Sequence, residues 1–453
     1  MVSGTIWAVQ LPFLLSGCVA AEQAQTGSTR APELVSFKLD IAPVLNRKCV
    51  TCHGSEKSKS KYRLDSFERL MTPGESKELP ITPGDPSHSK LYQLITATDP
   101  DDRMPQKDDP LPEAQIAAIR RWIEAGARFD GSDTNASLAS LVPPPQHPNP
   151  PSVYRFPLPI RALAFSSDGR ELAVGGYYEV TIWNSSTGAL LRRIKNLPQR
   201  NERLIYSPDG RLLAVAGGSP GQWGEVAIVE PQTGTIMKGL GGMSDVVLAL
   251  AFSADGKRLA VGGADSAIRI FNISTGHEQL VIQQHADWVM GIAFSPDGNQ
   301  IASASRDRTA RVYNAGTGEL ESTYTEHAAV VNTLAFSADG KQIFSAGRDK
   351  KIHIWNVSDG KKVSEITGFD DEIFDLICAD EKLFTAGADN QVREHACADR
   401  KLVRTFSGYA DRVYSLTFDR TTECLATGTH DGEVRIWNTK NGDLILAFKA
   451  MPK

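Results

Sequence analysis

The stretch Leu334–Asn356, LAFSADGKQIFSAGRDKKIHIWN, carries the pattern that organises most of this 453-residue chain. Its first two apolar runs flank Asp339-Gly340, a pair that favours a tight hairpin turn because glycine adopts positive φ without strain. A third, mostly apolar run, IHIWN, follows a second polar turn. The stretch therefore predicts three successive antiparallel strands.

Six further segments repeat this pattern from residue 160 onward, at intervals of about 40 residues. They begin LAFSSDGREL, LIYSPDGRLL, LAFSADGKRL, IAFSPDGNQI, LICADEKLF and LTFDRTTECL. A fourth apolar run follows each third strand. Since a single four-stranded blade cannot bury both of its faces, seven repeats predict an all-β, closed seven-bladed β-propeller over residues 153–453.

These repeats resemble the WD-repeat propeller family. In that family a His, a Ser or Thr, an Asp and a Trp form hydrogen bonds within one blade. The resemblance implies a structural tetrad of His327, Ser345, Asp349 and Trp355 in blade five. Blade six departs from the family because His395 stands where the Trp is expected.

The propeller family generally docks proteins on its rim, so loop residues that suit an interface are of interest. Exposed Trp and Arg side chains are favoured anchors in protein interfaces. The loops offer Asp287, Trp288, Arg306 and Arg348 as candidates for a docking rim. We expect a partner protein to bind there.

Two segments compete for the outer strand of blade seven. The C-terminal one is 443–449 and the N-terminal one is 152–158. The C-terminal segment closes the smaller loop, at a lower cost in chain entropy. It is therefore the predicted outer strand, with 152–158 running beside it or leading into blade one.

A different motif lies upstream, in Lys48–Gly54, KCVTCHG. A zinc site would need a second pair of ligands, and a thioredoxin-like site would follow a strand of a βαβ unit. Covalent haem needs two thiols one helical turn apart and an adjacent histidine. The motif predicts one haem c attached to Cys49 and Cys52, with His53 as an axial ligand.

The sixth iron position has three candidates nearby, Met71, Met104 and His88. Met104 is favoured because Pro105 stiffens its loop, and a thioether raises the potential toward that of electron carriers. Met71 is interpreted as core filler. His88 and an open position remain alternatives.

Two amphipathic helices are predicted around the motif. In LVSFKLDIAPVLNRKCVTCH the apolar stripe includes Leu39, and LPEAQIAAIRRWIEAGARFDG forms the second helix. They predict a small all-α domain over residues 34–131. A proline-rich linker follows at 132–152, interpreted as a semi-rigid spacer.

The segments CVTCHG, RLDS, PGDPSHSKLYQLI, RMP and LPEAQIAAIRRWIEAGA resemble the planctomycete-type cytochrome c domain, a relative of class I cytochromes c. The resemblance implies that Cys49 and Cys52 bind haem covalently, with His53 proximal and Met104 distal. The chain departs from the family pattern at Gln106, where a second proline is usual.

The first 21 residues predict export. They contain no charged side chain, and they include Leu15-Ser16-Gly17-Cys18, which resembles the lipobox of bacterial lipoproteins. The segment predicts a location in the periplasm or cell envelope, with a lipid on Cys18 as the membrane contact. The net charge of −5 gives no support to nucleic-acid binding.

These features favour an exported haem c-binding electron-transfer protein whose propeller is a protein-docking scaffold. The interpretation favours a carrier over an enzyme, and it requires a redox partner protein. Two alternatives remain: an oxidoreductase in which the haem feeds or drains an active site on the propeller, and a haem-based redox sensor.

Overall fold

A computed structural model describes residues 35–54, 58–106, 109–136, 138–141 and 146–452. The predicted export segment 1–21, with Cys18, lies outside the described residues. Within the described part of the chain, no helix is both long enough and apolar enough to cross a membrane.

The N-terminal part is helical. Within the described residues its α-helices are α1 Ala42–Lys48, α2 Val50–His53, α3 Phe67–Leu70, α4 Lys90–Ile95, α5 Glu113–Glu124 and α6 Leu138–Leu141. A π-helical turn, Phe37–Ile41, precedes α1, and 3₁₀ turns lie at Lys59–Lys61 and Pro86–His88. Their apolar residues share one core.

The π-helical turn corrects one expectation. Its wider winding buries Phe37 and Ile41, whereas Leu39 is 63% exposed. The prediction that Leu39 belongs to the apolar stripe is wrong, because the stripe was counted with α-helical spacing. Phe37 takes its place and packs against Phe67 and Trp122.

The helical part extends beyond Gly131, where the sequence predicts its end. Helix α5 stops before Gly126, which adopts φ +92°, as its position after the helix requires. The chain then returns to the same core, where Leu138 and Leu141 of α6 are buried. Apolar burial thus ties residues 138–141 to the helical part rather than to a spacer.

Residues 146–452 contain seven four-stranded antiparallel sheets, as the repeats predict. Blades one to three comprise β1 Leu163–Phe165, β2 Glu171–Gly175, β3 Glu179–Asn184, β4 Leu190–Lys195; β5 Arg200–Tyr206, β6 Leu213–Ser219, β7 Trp223–Glu230, β8 Thr235–Met243; and β9 Val247–Phe252, β10 Arg258–Gly263, β11 Ile268–Asn272, β12 Glu278–Ile282. Blades four and five comprise β13 Val289–Phe294, β14 Gln300–Ser305, β15 Ala310–Asn314, β16 Leu320–Tyr324; and β17 Val331–Phe336, β18 Gln342–Gly347, β19 Ile352–Asn356, β20 Lys362–Ile366. Blades six and seven comprise β21 Ile373–Ala379, β22 Lys382–Gly387, β23 Val392–Ala396, β24 Leu402–Phe406; and β25 Val413–Asp419, β26 Cys424–Thr429, β27 Glu433–Asn438, β28 Leu444–Lys449.

The C-terminal segment is the outer strand of blade seven. Strand β28 pairs with β27 in antiparallel register, which confirms the favoured assignment. The ring closes between blades one and seven without a shared strand. The amide of Ile160 donates to the carbonyl of Thr429 (3.0 Å), and Ser415 Oγ donates to the carbonyl of Ile160 (2.9 Å).

The second half of the linker lies against blades one and two. His147 Nε2 lies 2.5 Å from Glu225 Oε1, and the His147 amide donates to Asn196 Oδ1 (2.6 Å). Arg193 donates to the carbonyls of Pro151 and Ser152. The sequence predicts only a semi-rigid spacer here, and polar side chains of the propeller bind residues 147, 151 and 152 of it.

Candidate haem site and propeller surfaces

The two cysteines of the KCVTCHG motif lie one turn apart at helix α2, with Cys49 just before the helix and Cys52 within it. Cys49 is the residue before the helix, and its carbonyl accepts hydrogen bonds from the amides of Cys52 (3.1 Å) and His53 (3.0 Å). Both thiols are free and half-buried. One helical turn thus presents two thiols and an imidazole together.

The imidazole of His53 is oriented by the backbone. Its Nδ1 lies 3.2 Å from the carbonyl oxygen of Tyr62, so Nδ1 donates and Nε2 is left for a metal. Burial lowers the pKa of His53, although the hydrogen bond to Tyr62 opposes this shift. The neutral imidazole that results is the form that binds iron.

The surroundings of the motif are apolar. Cys49 and Met104 pack against the same core of buried residues. Burial, helped by the nearby Cys52, raises the pKa of the Cys49 thiol to about 12. The ring of Tyr62 lies 5.5 Å from that of His53, and its hydroxyl donates to the carbonyl of Leu70 (3.0 Å). A large, apolar, thiol-anchored group such as haem c fits these residues.

The structure places the two candidate distal ligands differently. Met104 is partly buried against the helical core, and its amide donates to the carbonyl of Leu94 (3.0 Å). His88 lies on an exposed turn, with a side chain 77% exposed and its Nδ1 2.6 Å from Asp85 Oδ2. Met71 also packs against the core, as core filler would. This placement distinguishes the partly buried Met104 from the exposed His88.

The tetrad residues of blade five form one hydrogen-bonded network. His327 reaches Asp349 through Nδ1 (2.6 Å) and Ser345 through Nε2 (2.8 Å), while Trp355 Nε1 donates to Ser345 Oγ (3.0 Å). His353 adds a second imidazole, 3.2 Å from Asp349 Oδ2. Ligand atoms of His327, Asp349 and His353 lie within 4.8 Å of one another. These hydrogen bonds give the cluster a structural role.

Blades four and seven hold variants of this network. In blade four, His285 reaches Asp307 (2.8 Å) and Ser303 (2.7 Å). In blade seven, Tyr409 replaces the histidine, and its hydroxyl lies 3.0 Å from Thr427 and accepts from Trp437 (2.7 Å).

The four rim candidates are partly exposed, and three of them are in contact. The Arg306 guanidinium lies 4.7 Å from the centroid of the Trp288 ring and 3.5 Å from Asp287. Trp288 is 38% exposed. Arg348 lies apart from this group, paired with Glu372 at 2.9 Å. The structure thus brings Asp287, Trp288 and Arg306 together.

Sequence reasoning missed residues that act through the backbone or through distant contacts. Tyr62 orients His53 by its carbonyl, which any residue could supply, so no side-chain signal exists. Glu225 follows the blade-two insertion SPGQWG, and a charged residue directly before the apolar run VAIV was an available signal, because a carboxylate in a buried strand needs a partner.

Comparisons with known families agree with this division of the chain into a c-type cytochrome and a repeat propeller. Residues 49–108 match the family described as planctomycete cytochrome C. Four segments, 234–272, 276–314, 318–356 and 400–438, match the family described as WD domain, G-beta repeat. Both predicted resemblances are confirmed, each for its own part. The comparison with curated proteins gives no match.

The two family matches indicate different functions for the two parts of the chain. The cytochrome match implies binding of haem c by the helical part. The WD repeats suggest interaction with proteins. A haem c held at Cys49, Cys52 and His53 would supply a one-electron iron couple.

Proposed function

We propose that this protein is an exported electron carrier with one covalently bound haem c, and that its propeller docks a partner protein. The observation that carries the proposal is the geometry of α2. Two thiols and an imidazole share one helical turn, and Tyr62 leaves Nε2 of that imidazole available. The polypeptide contributes attachment, orientation and an apolar wall.

Covalent attachment is tested by producing the full chain in a host that matures c-type cytochromes. We expect the haem to stay with the protein in denaturing electrophoresis and to give a c-type pyridine haemochrome spectrum. Cys49→Ser with Cys52→Ser should abolish both signals. Cys424→Ser, in blade seven, is the matched control and should retain them. Haem that acidic organic solvent extracts from the parent protein would contradict covalent attachment.

Export and lipidation rest on residues 1–21. The charge-free segment ending near Leu15-Ser16-Gly17-Cys18 supports them. Mass spectrometry of the mature N-terminus should find acylated Cys18, and Cys18→Ser should release the protein from the membrane fraction. An intact Met1 in the mature protein would contradict export by this route.

Docking rests on the exposed contact of Trp288 with Arg306. Cross-linking of the haem-loaded protein in envelope extract should capture a redox partner, and Trp288→Ala should weaken that capture about tenfold, as loss of a buried anchor does. Leu402→Ala, on the outer strand β24 and 54% exposed, is the control. Equal capture by both variants would place the docking surface elsewhere.

A further inference from the structure

Blade six contains two thiols that are close together. Cys378 lies near the end of β21, and Cys397 follows β23 directly. Their sulfur atoms are 3.4 Å apart, although β22 runs between the two strands. The amide of Cys397 donates to the carbonyl of Glu381 (2.7 Å), which holds it beside the β21–β22 turn.

Blade six also lacks the polar network of blade five. Phe369 stands at the histidine position and His395 at the tryptophan position, with ring centroids 5.9 Å apart. Among the described residues, Thr385 Oγ1 and His395 Nδ1 have no hydrogen-bond partner, although both side chains are buried. Blade six thus loses the side-chain connection between the loop before its first strand, its second strand and its third strand.

We propose that Cys378 and Cys397 form a disulfide that ties β21 to the end of β23 and replaces the missing tetrad. A disulfide needs sulfur atoms about 2.05 Å apart, so a shift of about 1.4 Å completes it. Both side chains are half-buried and remain within reach of a thiol reagent. The proposal does not depend on the haem.

The chemistry is thiol–disulfide exchange with a disulfide-bonded oxidant, protein or glutathione. The Cys378 thiolate attacks the oxidant and forms a mixed disulfide, and the Cys397 sulfur then displaces the reduced oxidant. Two thiols lose two protons and two electrons, and the oxidant disulfide becomes two thiols. Hydrogen bonding from Cys397 lowers the pKa of Cys378, which suits it to the first attack.

The test is peptide mapping of the full chain after incubation with oxidised glutathione, with alkylation and no reduction. Trypsin should yield peptides 363–382 and 394–400 joined by one disulfide. Reduction should separate them and lower the unfolding temperature of the propeller by about 5 °C, as expected for opening a short loop. The haemochrome spectrum should not change.

Variants separate the pair from the other thiols. Cys378→Ser and Cys397→Ser should each remove the joined peptides and the effect of reduction on unfolding temperature, while Cys424→Ser keeps both. If either serine variant fails to fold, the parent peptide map still decides. Oxidised parent protein in which both thiols alkylate freely, or in which either joins Cys424 instead, would overturn the proposal. Loss of haem in the Cys49 and Cys52 variants tests the proposed haem attachment and does not bear on this disulfide.

Discussion

At the scale of single residues, Met104 is the proposed distal ligand, and we expect the redox character to depend on it most. It packs against the core that also contacts Cys49, whereas His88 is exposed and paired with Asp85. We expect Met104→Ala to remove a far-red sulfur–iron charge-transfer band and to lower the midpoint potential, because a thioether favours ferrous iron. The measurement is a spectroscopic redox titration.

His88→Ala is the matched control for that titration. Its ring lies in solvent and its contact with Asp85 is local, so the spectrum and potential should stay those of the parent protein. The opposite pattern, with Met104→Ala silent and His88→Ala altered, would assign the distal position to His88.

A second residue-scale prediction concerns the network of blade five. Burial alone would raise the pKa of Asp349, but hydrogen bonds and charge from His327 and His353 outweigh it and hold that pKa well below its ordinary value. We expect Asp349→Asn to destabilise the propeller by about 3 kcal/mol at neutral pH, since it leaves buried imidazoles without their carboxylate. Urea unfolding measures this cost.

The pH dependence of that cost has a definite sign. A carboxyl group with a depressed folded-state pKa stabilises the protein above its unfolded pKa, and this contribution disappears as pH falls through the folded pKa. The difference between parent and Asp349→Asn should therefore shrink below about pH 4. Asp370→Asn, on an exposed loop, is the control and should match the parent throughout. If the difference in unfolding free energy between the parent protein and Asp349→Asn grew as the pH fell, this would contradict the hydrogen-bonded network.

At the scale of elements, β28 contributes to the closure of the ring. Its Phe448 ring lies 5.0 Å from Trp183 of blade one, and Leu446 packs in the same cluster. Deleting residues 443–453 should cost about 3–5 kcal/mol, because two half-buried apolar side chains and a strand ladder are lost. Thermal unfolding of the propeller is the measurement.

The same strand supplies the control. Ile445 is 46% exposed on the opposite side of β28, so Ile445→Ser should change the unfolding temperature little. If the deletion changed the unfolding temperature as little as Ile445→Ser does, the N-terminal segment 152–158 would have to close the ring.

The elements also show which features a sequence can predict. The number of blades and the order of their strands could be predicted, because all seven repeats share the same local pattern of strands and turns. The exposure of Leu39 escaped prediction, since a π-helical turn leaves no periodic signal. The haem motif is local in sequence and could be found directly. The carbonyl of Tyr62, the approach of Cys378 to Cys397 and the burial of α6 depend on distant packing.

At the scale of the whole molecule, the linker connects the helical part to a fixed point on the propeller. His147 stacks on Trp223 at 5.7 Å and on Tyr178 at 6.2 Å, between blades two and one. Six residue steps separate Leu141 from His147, so the end of α6 lies within about 20 Å of that point. The blade-two insertion, which supplies Trp223, thereby limits the reach of the haem-binding part.

This arrangement predicts that His147→Ala releases the linker without unfolding either part. The substitution removes the aromatic stacking and leaves Glu225 buried without its imidazole. Amide hydrogen exchange at residue 147, whose amide donates to Asn196 Oδ1, should rise at least tenfold, while exchange in the strands and the haemochrome spectrum stay unchanged. Asn149→Ala, an exposed position in the same segment, is the matched control and should exchange as the parent does. Parent-like protection in His147→Ala would mean that the contacts of Arg193 with the carbonyls of residues 151 and 152 hold the linker alone.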